Sequence, residues 1–365
     1  MSQSRSSGER DAAIADLVRA EFGVTVSGID PLRAALGCRN FSRVRLEGNE
    51  NKKDSIPETL IARIEASEDP GGRPAGIPPE PPLEPIRALL EREGLPVPRR
   101  YAADPGRGVE LLEDLGDVSL QDFARSASEP ELEDLYTEAC ALPPRLQRIE
   151  PRDSVANFQR RLDAAHFRYK AERFARWSLG GDRGASAAES AVVRNAFDRI
   201  ARLVREAPQR LAHRDFQSAN LHVVEPSLPL ADPTASQPRA RLVMIDLQGA
   251  FMAPPEYDLV CLLRDSYVEL GDAAVDAHLA RVRTALPDQP DEESFRLRFD
   301  LLTITRKAKD HALFRAVAAE RGDDRYLKYL PATRRYLQEA SNRVSSKHKE
   351  YGDLNDLIQA IPEIP

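Results

Sequence analysis

The segment that most limits what this chain can fold into is Leu211-Ala-His-Arg-Asp-Phe-Gln-Ser-Ala-Asn-Leu-His-Val-Val224, together with the carboxylate that follows it. It holds His-Arg-Asp and then an asparagine five positions after the aspartate. Two short apolar runs with strand character, Leu221–Val224 and Arg241–Ile245, come next, and the second leads directly into Asp246. The Pro-rich stretch 225–240 joins them and reads as a surface insertion. A lone aspartate after a strand is ordinarily a turn or cap residue. The ordered set of helix, His213, Asp215, Asn220, strand, loop, strand and Asp246 is far more restrictive than any one member.

Upstream of this block the pattern changes. Residues 11–22 carry helical spacing, with Ile14, Leu17, Val18 and Phe22 on one face. Phe41–Leu46 and Thr59–Glu65 read as strands around the polar turn Asn49–Asp54, a hairpin. Asp69–Pro82 is a Pro- and Gly-rich loop, and a short helix over Glu84–Glu93 follows, closed by Gly94. Val109–Glu113 is another strand and Asp114–Asp117 a turn. Helical periodicity then covers 131–142, 154–178 and 188–206, and resumes over 258–270, 273–285, 292–319 and 326–343. The predicted class is α+β. A strand-rich lobe spans 11–116 and a mainly helical lobe 117–345, with a disordered tail over 1–10 and a C-terminal tail over 346–365.

Phosphoryl transfer needs one carboxylate to receive the acceptor's proton, and further oxygens to hold metal ions against the phosphates. Asp215 suits the first task; Asn220 and Asp246 supply the hard oxygen donors that Mg2+ takes. The block resembles the aminoglycoside phosphotransferase superfamily, which includes choline and amino-sugar kinases. Within it the chain is most similar to bacterial anomeric kinases of N-acetylmuramate and N-acetylglucosamine. The likeness rests on Leu112-Glu-Asp-Leu-Gly116, His213-Arg-Asp-Phe-Gln-Ser-Ala-Asn220, Asp246-Leu-Gln-Gly-Ala250, Tyr257-Asp-Leu-Val-Cys-Leu-Leu-Arg-Asp265 and Thr305-Arg-Lys-Ala-Lys309.

The resemblance implies a two-lobed, protein-kinase-like fold using ATP and Mg2+ and serving cell-wall recycling. It implies roles as well. Leu112 and Glu113 fall at the hinge, where backbone groups pair with adenine. Arg63 stands where kinases carry the lysine that touches the α- and β-phosphates, with Glu84 or Glu80 as its helix partner; arginine is not a neutral replacement there, because its planar fork meets phosphate differently. Backbone amides of Asn40, Phe41 and Ser42 contact phosphate, with Arg39 or Arg43 assisting. Asp258 caps its helix or braces the catalytic loop, which His213 and Arg214 orient. The acceptor lies by the C-terminal helices, where Arg264, Arg306 and Lys309 are its candidate contacts. The chain departs from the protein-kinase pattern at Leu36–Arg43, which has one glycine in place of Gly-x-Gly-x-x-Gly. No Gly-x-x-x-x-Gly-Lys-Ser/Thr occurs, which excludes a P-loop.

Composition narrows the field further. A net charge of -7 argues against a general nucleic-acid binder. No apolar run approaches the ~20 residues that span a bilayer. Cys38, Cys140 and Cys261 suggest neither a disulfide framework nor a zinc site, and read as reduced thiols in a cytoplasmic protein. A small-molecule acceptor is therefore expected, without membrane, nucleic acid or an obligate protein partner. Three functions fit: a kinase for an N-acetylated hexosamine, an aminoglycoside-type antibiotic kinase, and a nucleotide-binding pseudokinase scaffold. The retained Asp215, Asn220 and Asp246 disfavour the scaffold. Arg306 and Lys309 share a helix face, and a basic wall there suits a neutral or anionic sugar over a polycation.

Overall fold

The computed structural model describes residues 7–32, 40–47, 56–64, 76–224 and 241–363. The chain divides into two compact units: residues 1–73 with 96–117, and residues 74–95 with 118–365.

The first unit is built on a five-stranded antiparallel sheet. Its strands are β1 (Val26–Pro31), β2 (Asn40–Leu46), β3 (Thr59–Ile64), β4 (Arg100–Asp104) and β5 (Val109–Glu113), in the spatial order β1-β2-β3-β5-β4. In β3 alternate residues Leu60, Ala62 and Ile64 are buried, the period of a strand with one covered face. They meet Val44, Val109, Leu111 and the Ala13, Ile14, Val18 face of α1 (Ser7–Phe22). Each buried Leu or Ile contributes about 1.5–3 kcal/mol. That also fixes register, since a one-residue slip would turn the whole set outward. The expected hairpin is present, with Val44 opposite Leu60.

Two strands leave no alternation in the sequence. β1 shifts register between Val26 and Gly28, and β4 between Arg100 and Ala102. Residues 1–6 of the expected tail, Leu36–Arg39 of the phosphate-covering stretch, the turn Asn49–Asp54, Glu65 and the insertion 225–240 lie outside the described residues.

The second unit carries helices α2 (Ile86–Arg92), α3 (Leu120–Phe123), α4 (Glu129–Gln147), α5 (Ala164–Trp177), α6 (Ala187–Glu206), α7 (Tyr257–Leu263), α8 (Asp272–Ala285), α9 (Glu292–Arg321), α10 (Leu330–Lys347) and α11 (Gly352–Gln359). The longest, α9, is apolar on several faces, with Phe295, Phe299, Leu302, Ile304, Ala308 and Phe314 all buried, as a central helix must be. It packs against α5 and α10 and stops at Gly322, whose φ of +64° needs no Cβ.

Several boundaries differ from the sequence expectation. The helix expected over 154–178 is broken. Leu162 donates its N–H to the Met252 carbonyl at 2.9 Å, so the chain there is extended, and Asp163 caps α5 by accepting from the His166 N–H. The helix expected to reach residue 270 ends at Leu263, and the Asp265 carboxylate takes the Tyr267 N–H. Residues 74–95, expected in the first lobe, group with the second unit. There α2 packs on the turn Leu247–Gly249, and Glu80 accepts from Arg214 at 2.6 Å. The expected C-terminal tail is folded: Leu354, Ile358 and Ile361 are buried and α11 packs on α10 and α6.

Candidate active site

Two short ladders build the candidate catalytic segment. β6 (Arg210–Ala212) pairs with β9 (Phe251–Ala253), and β7 (Leu221–Val224) pairs with β8 (Arg241–Met244). Residues 213–220 and 245–250 therefore emerge beside one another. The Ile245 N–H donates to the Asn220 carbonyl at 3.0 Å, and His213 Nε2 lies 2.8 Å from the Ile245 carbonyl.

The loop between β6 and β7 is held by buried carboxylates. Asp258, in the first turn of α7, accepts the backbone N–H of His213 at 2.7 Å and of Arg214 at 3.0 Å. Its burial pushes its pKa up. Asp265 accepts both the N–H and the hydroxyl of Ser218, at 2.8 and 2.6 Å. Among the described residues, three without glycine's freedom have positive φ, and two of them lie here: Arg214 at +81° and Asp246 at +64°. Such backbone persists only where neighbours over-determine it.

Asp215 is about a quarter exposed, at 26%. Arg306 Nη1 donates to its Oδ1 at 2.9 Å, and Arg214 Nε stands 3.7 Å from its Oδ2. Burial alone would raise this carboxyl's pKa; the charges of Arg306, Arg214 and Lys309 outweigh it and hold Asp215 well below the usual carboxylate range. It is a carboxylate at neutral pH and can accept a proton.

Asn220 Nδ2 donates to the Asp215 carbonyl at 2.9 Å, which leaves its side-chain oxygen for another partner. The Asp246 side chain is exposed and accepts from Gln248 Nε2 through Oδ1. Among the described residues no three of His, Cys, Asp or Glu gather into a metal cage. One carboxylate and one amide oxygen fit Mg2+, which keeps water and phosphate oxygens in its shell and seldom uses an all-protein site.

The basic residues expected to wall the acceptor site turn inward. Arg306 is 4% exposed and shares Asp310 with Lys307 and Lys309, at 3.3, 2.8 and 2.9 Å. Lys309 keeps a quarter of its side chain in solvent. Arg264 is buried, paired with Asp272 at 2.8 Å and stacked over Tyr336. The basic run expected to face an acceptor is thus an internal network, because Arg306, Lys307 and Lys309 all converge on the carboxylate of Asp310.

The first unit holds the other predicted residues. Arg63 is 4% exposed and pairs with Glu110, its ladder neighbour on β5. Glu84 belongs instead to the second unit, where it lies just before α2 and accepts from Arg87 of that helix. Asn40, Phe41 and Ser42 belong to β2 and not to a loop, because the ladder with β3 already begins at Asn40. Arg43 is committed to Asp114 and Asp117 at 2.6 and 2.8 Å. Leu112 and Glu113 end β5, where the Glu113 N–H donates to the Arg99 carbonyl.

Sequence reasoning missed Asp265, Asp310, Lys170 and Asn157. Asn157 donates to the carbonyls of Gln248 and Ala250 at 3.1 and 3.0 Å and so fixes the turn after Asp246. Lys170 on α5 is buried, its Nζ 5.3 Å from the rings of both Phe167 and Tyr257 and without a hydrogen-bond acceptor among the described residues. Burial, together with Arg306 and Lys309, brings its pKa down to about 7. A cavity of about 700 Å³ opens between α5, α6 and α9, lined by Trp177, Arg183, Arg194 and Arg315 among others, and none of the predicted site residues lines it.

The chain resembles several known proteins. It is 27% identical over 289 residues to an N-acetylmuramate/N-acetylglucosamine kinase of Pseudomonas aeruginosa, covering 77% of this chain and 78% of the relative. It is 25% identical over 268 residues to a protein of the same name in Neisseria meningitidis, covering 72% and 75%. Its fold is that of a choline kinase from Streptococcus pneumoniae, with a TM-score of 0.56 and 17% identity over 92% of this chain and 99% of that one. It is also that of the ADP-bound aminoglycoside phosphotransferase APH(2'')-Ib, with a TM-score of 0.53 and 13% identity over 90% and 97%. The fold is therefore the two-lobed, protein-kinase-like one. Residues 83–298, which include the loop between β6 and β7, Asp246 and α7, match one family throughout, and the chain belongs to the phosphotransferase enzyme family.

Proposed function

We propose that the chain moves the γ-phosphoryl group of ATP to a hydroxyl of an N-acetylated amino sugar, the anomeric hydroxyl of N-acetylmuramate or N-acetylglucosamine, as a cytoplasmic enzyme of cell-wall recycling. The observation that carries this reading is the carboxylate of Asp215. It is kept ionised, on a loop braced by Asp258, five residues before an amide oxygen and beside the strand that presents Asp246. Asp215 accepts the acceptor's hydroxyl proton as the sugar oxygen attacks the γ-phosphorus, and the bond to ADP breaks. Asn220 and Asp246 hold Mg2+, which when bound neutralises phosphate charge. Arg63, Leu112, Glu113 and the backbone at Asn40, Phe41 and Ser42 are the proposed nucleotide ligands.

The choice of acceptor is supported by the names of the relatives, two of which are N-acetylmuramate/N-acetylglucosamine kinases. ADP release measured with N-acetylmuramate, N-acetylglucosamine, kanamycin and choline separates the cases. Turnover of the N-acetylated sugars and none of kanamycin is expected; kanamycin turnover without sugar turnover would sink the acceptor assignment and leave phosphotransfer standing.

A further inference from the structure

We propose that Arg306 is the positioning residue of the transfer: steered by Asp310, it fixes Asp215 through Oδ1 and leaves Oδ2 to the acceptor hydroxyl. This rests on the reading of Asp215 as the base.

Arg306 reaches the catalytic loop from α9, 91 residues away in sequence. Each of its guanidinium nitrogens has a partner. Nη1 donates to Asp215 Oδ1 at 2.9 Å and to the Arg214 carbonyl at 3.2 Å, Nη2 to Gln217 Oε1 at 3.4 Å, and Nε to Asp310 Oδ2 at 3.3 Å. One planar fork thus spans residues 214, 215 and 217, the stretch in which Arg214 has positive φ. The side chain is 4% exposed, so these contacts are made away from bulk water and are stronger for it.

Asp310 completes the arrangement. It is flanked by three cations, so one of them could be lost without leaving its charge unpaired. Its contact with Nε therefore orients the fork more than it neutralises it. A lysine could match the charge of Arg306 but not the simultaneous contacts, since an ammonium is a point donor on a flexible stem.

The two oxygens of Asp215 are left unequal. Oδ1 carries the Arg306 bond, whereas Oδ2 has only Arg214 Nε at 3.7 Å, beyond hydrogen-bond range, and no donor among the described residues. A carboxylate pinned by one oxygen presents the other in a fixed direction. For in-line attack such alignment is worth a large part of the rate, and a misplacement of about 1 Å costs on the order of 100-fold. Arg306 does this through Asp215, so its loss should appear in turnover and not in nucleotide binding.

The test uses the full chain with the best acceptor. Arg306→Lys should lower kcat roughly 10- to 100-fold with the ADP dissociation constant unchanged. Arg306→Ala should lose at least as much, and added guanidinium, at concentrations that leave the melting temperature unaltered, should restore part of it. Asp215→Asn should show no such rescue. Asp310→Asn should lower kcat less, and in the Arg306→Ala background should add nothing, because the two act in series. Arg306→Lys with kcat within about two-fold of wild type would overturn the proposal. So would an Arg306→Ala variant that binds ADP normally yet gains nothing from guanidinium, or kcat losses that simply multiply with Asp310→Asn. If Arg306→Ala does not fold, Arg306→Lys decides alone. Normal turnover by Asp215→Asn is a separate failure, of the base reading beneath this one.

Discussion

Asp265 accepts two hydrogen bonds from a single residue, the N–H and the hydroxyl of Ser218, at 2.8 and 2.6 Å. Ser218 is completely buried and opens the turn that ends at Asn220, so one side chain beyond the end of α7 sets where a proposed metal ligand begins.

Asp265→Ala should therefore be a stability variant first and an activity variant second. It leaves two buried polar groups of Ser218 without an acceptor, at about 1–3 kcal/mol each. Ser218→Ala keeps the backbone N–H bond and should cost clearly less. Thermal unfolding of both variants checks the order, and equal losses would show that the backbone N–H does not depend on Asp265.

Lys170 should make stability depend on alkaline pH. Its folded pKa of about 7 lies below the ordinary lysine value of 10.5, so the unfolded chain binds a proton that the folded chain rejects between those limits. Stability should rise as pH goes from about 7 toward about 10, with the penalty complete below pH 7. Arg306 and Lys309 disfavour the charged amine, Cys261 and Asp310 favour it, and the rings of Phe167 and Tyr257 cover it. Lys170→Met should melt higher than wild type at pH 7, and the gap should close by pH 10. A gap that stays constant with pH would mean that the amine is charged throughout.

Much of the candidate site's arrangement was legible in the residues, and the missing parts share a cause. The order His213, Asp215, Asn220, Asp246 is local chemistry spaced along short elements, and the spacing alone suggests the role. Asp265 and Asp310 act across 47 and 4 residues respectively, and their importance comes from what they touch. Nothing in the run Thr305–Asp310 distinguishes a solvated charged face from a buried network, because α-helical spacing places charges without saying what covers them. β1 and β4 escaped notice because register shifts interrupt their alternation. The helix α11 escaped because a short apolar repeat at a chain end looks like a tail until α6 and α10 are seen to receive it.

Asp246→Ala should remove the magnesium dependence of nucleotide binding. ATP affinity measured with and without Mg2+ should differ strongly in the wild type and little in the variant, since Asp246 is the carboxylate of the proposed pair. Equal magnesium dependence in both proteins would rule Asp246 out as a ligand.

Arg63 lies in a sheet, paired with Glu110, and the phosphate role proposed for it predicts an uneven loss. Arg63→Ala should weaken ATP and ADP more than adenosine. Uniform weakening would show a structural role through the β3–β5 ladder, with Glu110 left to Arg100 alone at 3.6 Å.

The most direct test of the whole account is turnover by Asp215→Asn. The substitution keeps the shape and the Asn220 contact, which uses the backbone carbonyl, and removes the proton acceptor. With the best N-acetylated sugar, ADP release should fall about 10²–10⁴-fold while ADP binding and the melting temperature stay near wild type. Near-normal turnover by that variant would contradict the account.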